Sequence, residues 1–148
     1  MHAETRDRLF LPDLAATRAL GARLAAMLRP GDAILLHGCL GAGKSELARA
    51  LIRAATGDPA ADVPSPSYTL VQSYGTPRFA LHHYDLWRLD GPGGLMELGW
   101  DDARDGVVVV EWGDRLGALA PDDALSVTLM VDGDSRTAML SGWQERLA

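Results

Sequence analysis

The sequence predicts a three-layer α/β domain with a mixed, partly parallel central sheet. Two short apolar runs, residues 33–37 and 107–112, are typical of parallel strands that are buried on both faces. A glycine-rich turn and a helical segment follow the first run, which is the strand–loop–helix opening of an α/β fold. Alternating segments around residues 68–87 and 125–140 predict hairpins, which add antiparallel strands to the sheet.

The first half of the chain alternates helices and strands. Asp13 is a suitable N-cap for a helix that runs to about Leu28. A turn rich in Pro and Gly leads into the strand at residues 33–37, and a second helix is expected over residues 45–56. Gly57 suits the C-cap of that helix, and the Pro-, Asp- and Ser-rich residues that follow it, 58–67, predict a loop.

The second half is expected to contain two hairpins, a helix and a buried strand. Their predicted bounds are strands 68–74 and 79–87 around a turn at 75–77, a break at 91–94, a helix at 95–104, a strand at 107–112, and strands 125–131 and 136–140 around a turn at 132–135. We find no internal repeat and no linker, so residues 1–148 are expected to form a single domain.

Composition excludes several classes of protein. The net charge of −6 argues against a chain that binds nucleic acid by itself, because such binding depends on Lys and Arg side chains that neutralise phosphates. The single Cys39 excludes an internal disulfide framework and favours a reducing compartment. No apolar run approaches the length of a membrane span, and the first ten residues do not have the pattern of a signal peptide. We therefore expect a cytoplasmic protein.

Residues 38–45, GCLGAGKS, fit the phosphate-loop pattern G-x-x-x-x-G-K-[ST] in full. Glycines allow successive backbone N–H groups to turn toward an anion, and the start of the following helix adds its positive dipole end. The sequence therefore predicts a P-loop NTPase domain. The residues expected to contact the nucleotide here are Gly38, Leu40, Gly41, Ala42, Gly43, Lys44, Ser45 and Glu46.

Lys44 is the one lysine in a chain whose thirteen other basic residues are all Arg. A compact, mobile ammonium suits the β and γ phosphates better than a planar guanidinium does. The Ser45 hydroxyl is expected to bind Mg²⁺. Guanine-specific P-loop proteins use an Asn-Lys-x-Asp motif, and this chain contains no Asn, so ATP is favoured over GTP.

Two carboxylates close apolar runs and are candidates to hold Mg²⁺. Asp85 ends FALHHYD and Glu111 ends VVVVE, although a polar residue at a strand exit is also common without any such role. His83 is expected to be a supporting residue, since no further zinc ligands lie at suitable spacing. Arg88 either faces the phosphates or forms a surface ion pair, and the ion pair is slightly favoured.

Four motifs in this order make the chain similar to the TsaE (formerly YjeE) family, the small bacterial ATPases of tRNA threonylcarbamoyladenosine biosynthesis. They are the phosphate loop at 38–45, SPSYTLV at 65–71, HYDLWRL at 83–89 and EW at 111–112. The resemblance extends from about Leu9 to the last predicted hairpin.

The resemblance implies a role for each matching residue. Lys44 would hold phosphate, and Ser45 and Asp85 would hold Mg²⁺. Glu111 would lie near the γ-phosphate, as a metal ligand or as the residue that orients the attacking water. Trp112 would lie beside the nucleotide, and the segment containing Ser65 and Thr69 would respond to the γ-phosphate as a switch loop.

The resemblance also implies partners. Family members work with the TsaB–TsaD transferase, which modifies adenosine 37 of tRNA, so contact with tRNA would be indirect. Two positions depart from the family pattern: Cys39 stands where an acid is usual, and Glu46 where a second hydroxyl often occurs. An ionised carboxylate cannot donate to the α-phosphate, so Glu46 is expected to face solvent and nucleotide affinity to be lower.

Two other functions are compatible with a phosphate loop. A small-molecule kinase usually has an Arg-rich lid, and residues 58–67 contain no Arg, which argues against it. A non-catalytic ATP sensor would need only binding, whereas the presence of both Asp85 and Glu111 favours hydrolysis.

Overall fold

The computed structural model describes residues 6–39, 41–66, 69–89 and 92–147. The strands are β1 (Arg6–Leu11), β2 (Ala33–His37), β3 (Val71–Gly75), β4 (Ala80–Asp85), β5 (Val107–Glu111), β6 (Leu125–Asp132) and β7 (Ser135–Ser141). The helices are α1 (Leu14–Met27), α2 (Lys44–Thr56), α3 (Trp100–Ala103) and α4 (Gln144–Leu147), and two 3₁₀ segments span Pro92–Leu98 and Gly113–Leu119. Within the described residues no helix is both long and apolar enough to cross a membrane.

The described strands form one mixed sheet of seven in the order β1-β7-β6-β2-β5-β4-β3. The four central strands, β6, β2, β5 and β4, run parallel, and β3, β7 and β1 add antiparallel partners at the two sides. Parallel strands place their carboxyl ends along one edge, so the ends of β2, β4 and β5 lie together. The predicted fold, a mixed and partly parallel sheet between layers of helix, is confirmed.

Alternate residues of the central strands pack into two apolar clusters, one on each face of the sheet. Helices α1 and α2 cover the face that carries Ile34, Leu36 and Val109. Helix α3 and the two 3₁₀ segments cover the other face, where Leu35 and Val110 lie. Burial on both faces explains why β2 and β5 are almost continuously apolar in sequence.

Helices α1 and α2 pack in close contact at Gly21. A Cβ atom built on Gly21 would lie 2.7 Å from the Cβ of Ala50, so no larger residue fits without displacement of one helix. Asp13 caps α1 by accepting a hydrogen bond from the Ala16 N–H at 2.9 Å, and Gly57 ends α2 in the left-handed conformation. Both predicted caps are confirmed.

Several predicted elements differ from the structure. Strand β1 is absent from the prediction, although its Leu9 and Leu11 alternate toward the core and pair with β7. The predicted helix at 95–104 is a 3₁₀ segment and a short α-helix, because Gly99 has a φ of 74° between them. Strand β3 begins at Val71 and not at 68, and Tyr68 itself lies outside the described residues, as does Ser67 of the predicted loop.

Candidate functional site

Residues 38–45, called the phosphate loop here after their sequence pattern, join β2 to α2 at the carboxyl edge of the sheet. Gly38 has a φ of 140°, and a Cβ atom there would lie 2.7 Å from the Leu129 backbone oxygen of β6, so the loop approaches that strand more closely than a side chain allows. Helix α2 begins at Lys44 without a side-chain N-cap. Its first turn therefore presents backbone N–H groups and a positive dipole end, an arrangement that favours an anion. Leu40 lies outside the described residues.

Lys44 is 5% exposed and lies across the loop. Its Nζ donates hydrogen bonds to the carbonyl oxygens of Gly38 at 2.6 Å and Cys39 at 3.0 Å. The ammonium also lies 4.3 Å from the centroid of the Trp112 ring, where the aromatic face attracts a cation. The charge is thus held at the loop and is shielded from bulk water, which strengthens its attraction for a phosphate.

Glu111 ends β5 and is 2% exposed. Its two carboxylate oxygens have different partners: the Ser45 hydroxyl donates to Oε1 at 2.9 Å, and the Nε2 atom of His83 lies 2.6 Å from Oε2. The pair with Ser45 joins the end of β5 to the first turn of α2. A carboxylate buried in this way is fixed in one orientation next to the phosphate loop.

Asp85 ends β4 and is aligned with Glu111 across the parallel β4–β5 pair. It is 4% exposed. Its Oδ1 accepts the Trp87 backbone N–H at 3.1 Å, and the Ser65 hydroxyl lies 3.4 Å from its Oδ2. The loop that carries Ser65 therefore reaches the same carboxyl edge as β4 and β5.

A cavity of about 760 Å³ lies above this edge of the sheet. Its lining residues are Gly41, Gly43, Lys44, Ser45, Glu46, Ser65, Asp85, Trp87, Arg88, Glu111 and Trp112. At its rim Trp87 is 43% exposed, and its ring centroid lies 4.7 Å from that of Trp112. The cavity thus combines a buried cation, three carboxylates, two hydroxyls and two aromatic rings.

The donor set fits Mg²⁺. Ser45, Asp85 and Glu111 offer hard oxygen ligands on one wall of the cavity, and Mg²⁺ is usually held by one or two carboxylates together with phosphate oxygens and water. Among the residues that the structure describes, no three His, Cys, Asp or Glu side chains converge as a ligand set. A metal ion here would therefore need oxygen ligands from phosphate or water to complete its coordination.

The structure does not bring every predicted residue to the cavity. The hydroxyl of Thr69 accepts a hydrogen bond from the Gln72 amide at 3.2 Å, and Thr69 is not among the lining residues. Ala42, within the loop, is fully buried and packs in the core. Glu46 does not simply face solvent: it lines the cavity and forms an ion pair with Arg49 at 2.5 Å, which directs its charge along α2.

Sequence reasoning missed a residue that contacts the loop from behind. Arg136 of β7 donates from Nε to the Ala42 carbonyl at 3.1 Å and from Nη2 to the Gly41 carbonyl at 3.3 Å. Two successive loop carbonyls are thereby held by one charged side chain. No local pattern marks Arg136, because the contact spans more than ninety positions. Arg88, for which the sequence slightly favours a surface ion pair, lines the cavity.

Burial shifts the pKa of two groups near the site. Burial lowers the pKa of His37, at the end of β2, below its usual value, against an opposing effect of Asp114 and with a smaller contribution from Lys44. His37 is therefore neutral at physiological pH. On the same face of the sheet, burial raises the pKa of Tyr84 to about 12, and its hydroxyl donates to the Leu98 carbonyl at 2.9 Å.

Comparisons with known proteins find a matching family model and similar sequences. The family model described as "Threonylcarbamoyl adenosine biosynthesis protein TsaE" matches residues 11–138. The tRNA threonylcarbamoyladenosine biosynthesis protein TsaE of Rickettsia felis is 36% identical over 124 residues, which are 83% of this chain and 72% of that protein. The TsaE protein of a Nostoc species is 33% identical over 148 residues, covering 95% of this chain and 89% of its own length.

A solved structure shares the fold. The crystal structure of Bacillus subtilis YdiB matches with a TM-score of 0.80 and 23% identity, covering 99% of this chain and 91% of that chain. At this identity the match bears on the architecture alone. The YdiB crystal structure therefore has the same overall fold as this chain.

Proposed function

The chain belongs to the TsaE family, and on that premise we propose that it binds and hydrolyses ATP in support of the threonylcarbamoylation of tRNA adenosine 37. The observation that carries this proposal is the position of Glu111, a buried carboxylate held between Ser45 and His83 beside the phosphate loop. A protein that only binds ATP has no need of a fixed carboxylate there. Residues 1–148 would act as one ATPase domain in the cytoplasm.

The phosphates of ATP would be bound by the loop and by the first turn of α2. The backbone N–H groups of residues 43–46 have no intrahelical partner and would face the phosphates, with the helix dipole behind them. Lys44 would exchange its two loop carbonyls for phosphate oxygens, which are stronger acceptors because they are charged. Trp112, whose ring covers the ammonium, would keep water from this charge.

Ser45 and Asp85 would hold Mg²⁺, which supplies charge neutralisation for the β and γ phosphates. Glu111 would orient a water molecule in line with the γ-phosphate and accept its proton as the new P–O bond forms and the bond to ADP breaks. The products are ADP and inorganic phosphate. Ser65, which contacts Asp85, would couple its loop to the occupancy of the site.

The ATPase would act with a TsaB–TsaD-type transferase, and contact with tRNA would pass through that pair. The net charge of −6 supports this division, since the partners can supply the basic surface that tRNA requires. Slow hydrolysis in isolation is expected, because the partners would complete or stimulate the site.

The test is the rate of ATP hydrolysis by the purified protein, alone and with a TsaB–TsaD pair and tRNA. The expected result is a slow basal rate that rises in the mixture and falls in Glu111→Gln. Glu145→Gln is the matched control, because it removes the same charge from an exposed position in α4. Glu145 is next to Arg146, which pairs with Asp32 just before β2, at the edge of the sheet opposite the cavity.

A rate of ATP hydrolysis that does not change when the TsaB–TsaD pair and tRNA are added would contradict the coupled role. Phosphate transfer to a small-molecule acceptor would identify a kinase. Tight ATP binding with no hydrolysis in any mixture would identify a sensor.

A further inference from the structure

His83 lies in β4, two residues before Asp85 and on the same face of the strand. It is 1% exposed, and its Nε2 atom lies 2.6 Å from Oε2 of Glu111. A buried polar side chain in a central strand is unusual among the apolar residues that surround it here, such as Leu81 and Val109. Its placement therefore requires a reason other than packing.

The hydrogen-bonding pattern indicates which group donates. The Nδ1 atom of His83 is buried and has no hydrogen-bond partner among the described residues. If the ring hydrogen is on Nε2, the buried Nδ1 is left with an unmatched lone pair. If the hydrogen is on Nδ1, an unmatched N–H is buried, and two acceptors, Nε2 of His83 and Oε2 of Glu111, face each other. The geometry thus favours Nε2 of His83 as the donor and Oε2 of Glu111 as the acceptor.

The two partners of Glu111 are not equivalent in function. If Ser45 holds Mg²⁺ as proposed, its hydroxyl would no longer donate to Glu111, and Oε1 would be free to face the cavity. The bond from His83 to Oε2 then remains and fixes the plane of the carboxylate. Without it, Glu111 would sample several rotamers at the moment when its free oxygen must face the attacking water.

We infer that His83 is a positioning residue for ATP hydrolysis, which acts by orienting Glu111 through the Nε2–Oε2 hydrogen bond. The inference rests on the proposed ATPase function. It assigns no contact between His83 and the nucleotide, so its loss should slow turnover and leave ATP affinity unchanged.

The test compares three substitutions at His83. Gln can place an amide N–H near the position of Nε2, Asn is too short to reach Glu111, and Leu has no donor. We expect His83→Leu and His83→Asn to lower kcat by roughly tenfold or more, the value of a hydrogen bond to a charged group, with the Kd for ATP within about twofold of wild type. His83→Gln should recover most of the rate.

His82→Leu is the matched control. His82 is the neighbouring histidine on the opposite face of β4, where it pairs with Ser73 at 2.7 Å, and its loss should leave kcat unchanged. In a Glu111→Ala background, His83→Leu should cause no further loss of rate. Equal rates for the Gln, Asn and Leu variants, or a Kd that rises in parallel with the fall in kcat, would overturn the inference in favour of a purely structural role.

A spectroscopic measurement separates this inference from the ATPase proposal. In protein labelled with ¹⁵N-histidine, the His83 Nε2–H should give a downfield imidazole resonance that is lost in Glu111→Ala and kept in Glu145→Gln. If wild-type protein hydrolyses no ATP with its partners, the ATPase proposal fails, and this resonance still decides whether His83 orients Glu111. Absence of the resonance in wild-type protein would overturn the inference whatever the rate of hydrolysis.

Discussion

Gly38 offers a sharp test of how the phosphate loop is built. Replacing it with Ala would place a Cβ atom 2.7 Å from the Leu129 backbone oxygen and 3.1 Å from the Ala42 Cβ. Neither the strand β6 nor the core residue Ala42 can move aside freely. The Gly38 carbonyl, which accepts the bond from Lys44 Nζ, must therefore shift, and the loop shifts with it.

The matched control is Gly41→Ala in the same loop. Gly41 also has a positive φ, 82°, yet a Cβ atom there has no neighbour within 4 Å. Both substitutions incur a backbone cost of about 1–3 kcal/mol. Only Gly38→Ala adds a steric cost, about 1–3 kcal/mol for overpacking against fixed atoms. The difference between the two variants in the free energy of unfolding should therefore be about 1–3 kcal/mol.

Two assays check this prediction. Urea unfolding followed by tryptophan fluorescence gives the free energies of unfolding, and titration with a fluorescent ATP analogue gives the affinities. Gly38→Ala should also bind the analogue more weakly than Gly41→Ala, by about fivefold for each kcal/mol that the displaced Lys44 loses. Equal unfolding free energies for the two variants would refute the claim that contact with β6 fixes the loop.

Four further outcomes are expected. Lys44→Ala should weaken binding of the ATP analogue by roughly 10- to 100-fold, the value of hydrogen bonds to a charged group, measured by the same titration. Arg136→Met should weaken binding by about fivefold, because two loop carbonyls lose their charged donor, and Arg136→Lys should lie between it and wild type. Gly21→Ala should lower the free energy of unfolding by about 1–3 kcal/mol because its new Cβ clashes with Ala50, offset by a gain of up to about 1 kcal/mol in helix propensity. In the same urea unfolding assay, adding Ala50→Gly to this variant should restore part of the loss. Burial raises the pKa of Tyr84 from its ordinary value of 10.0 to about 12 in the folded protein. Between about pH 10 and about pH 12 the unfolded chain loses this proton first, so the wild-type free energy of unfolding should fall as pH rises through that range. Tyr84→Phe should lack this part of the fall when unfolding is measured across the same range.

Local sequence carries enough information for elements whose physics is local. The N-cap of α1, the C-cap of α2, the buried strands β2 and β5 and the last hairpin follow from short-range patterns. The phosphate loop belongs to this group too, because its glycines and its Lys44 act within eight consecutive residues. These are the elements in which the prediction agrees with the structure.

Three features differ from the prediction, each for its own reason. Strand β1 is short, and it is stabilised by pairing with β7, which lies more than a hundred residues away. A helix is predicted over residues 95–104, but Gly99 divides this segment. Thr69 shares a motif with Ser65, yet its hydroxyl contacts Gln72 and the residue does not line the cavity.

The sequence by itself determined the α/β architecture, the phosphate loop and the two carboxylates that end β4 and β5, because each depends on residue type and spacing along a short stretch of chain. Only the tertiary structure decided how these parts meet. It joined Ser45 to Glu111, placed His83 behind that carboxylate, and brought Arg136 from β7 to the loop carbonyls. Such contacts join residues that are 28 to 94 positions apart, and their geometry is set by strand register and helix packing, which no local pattern encodes.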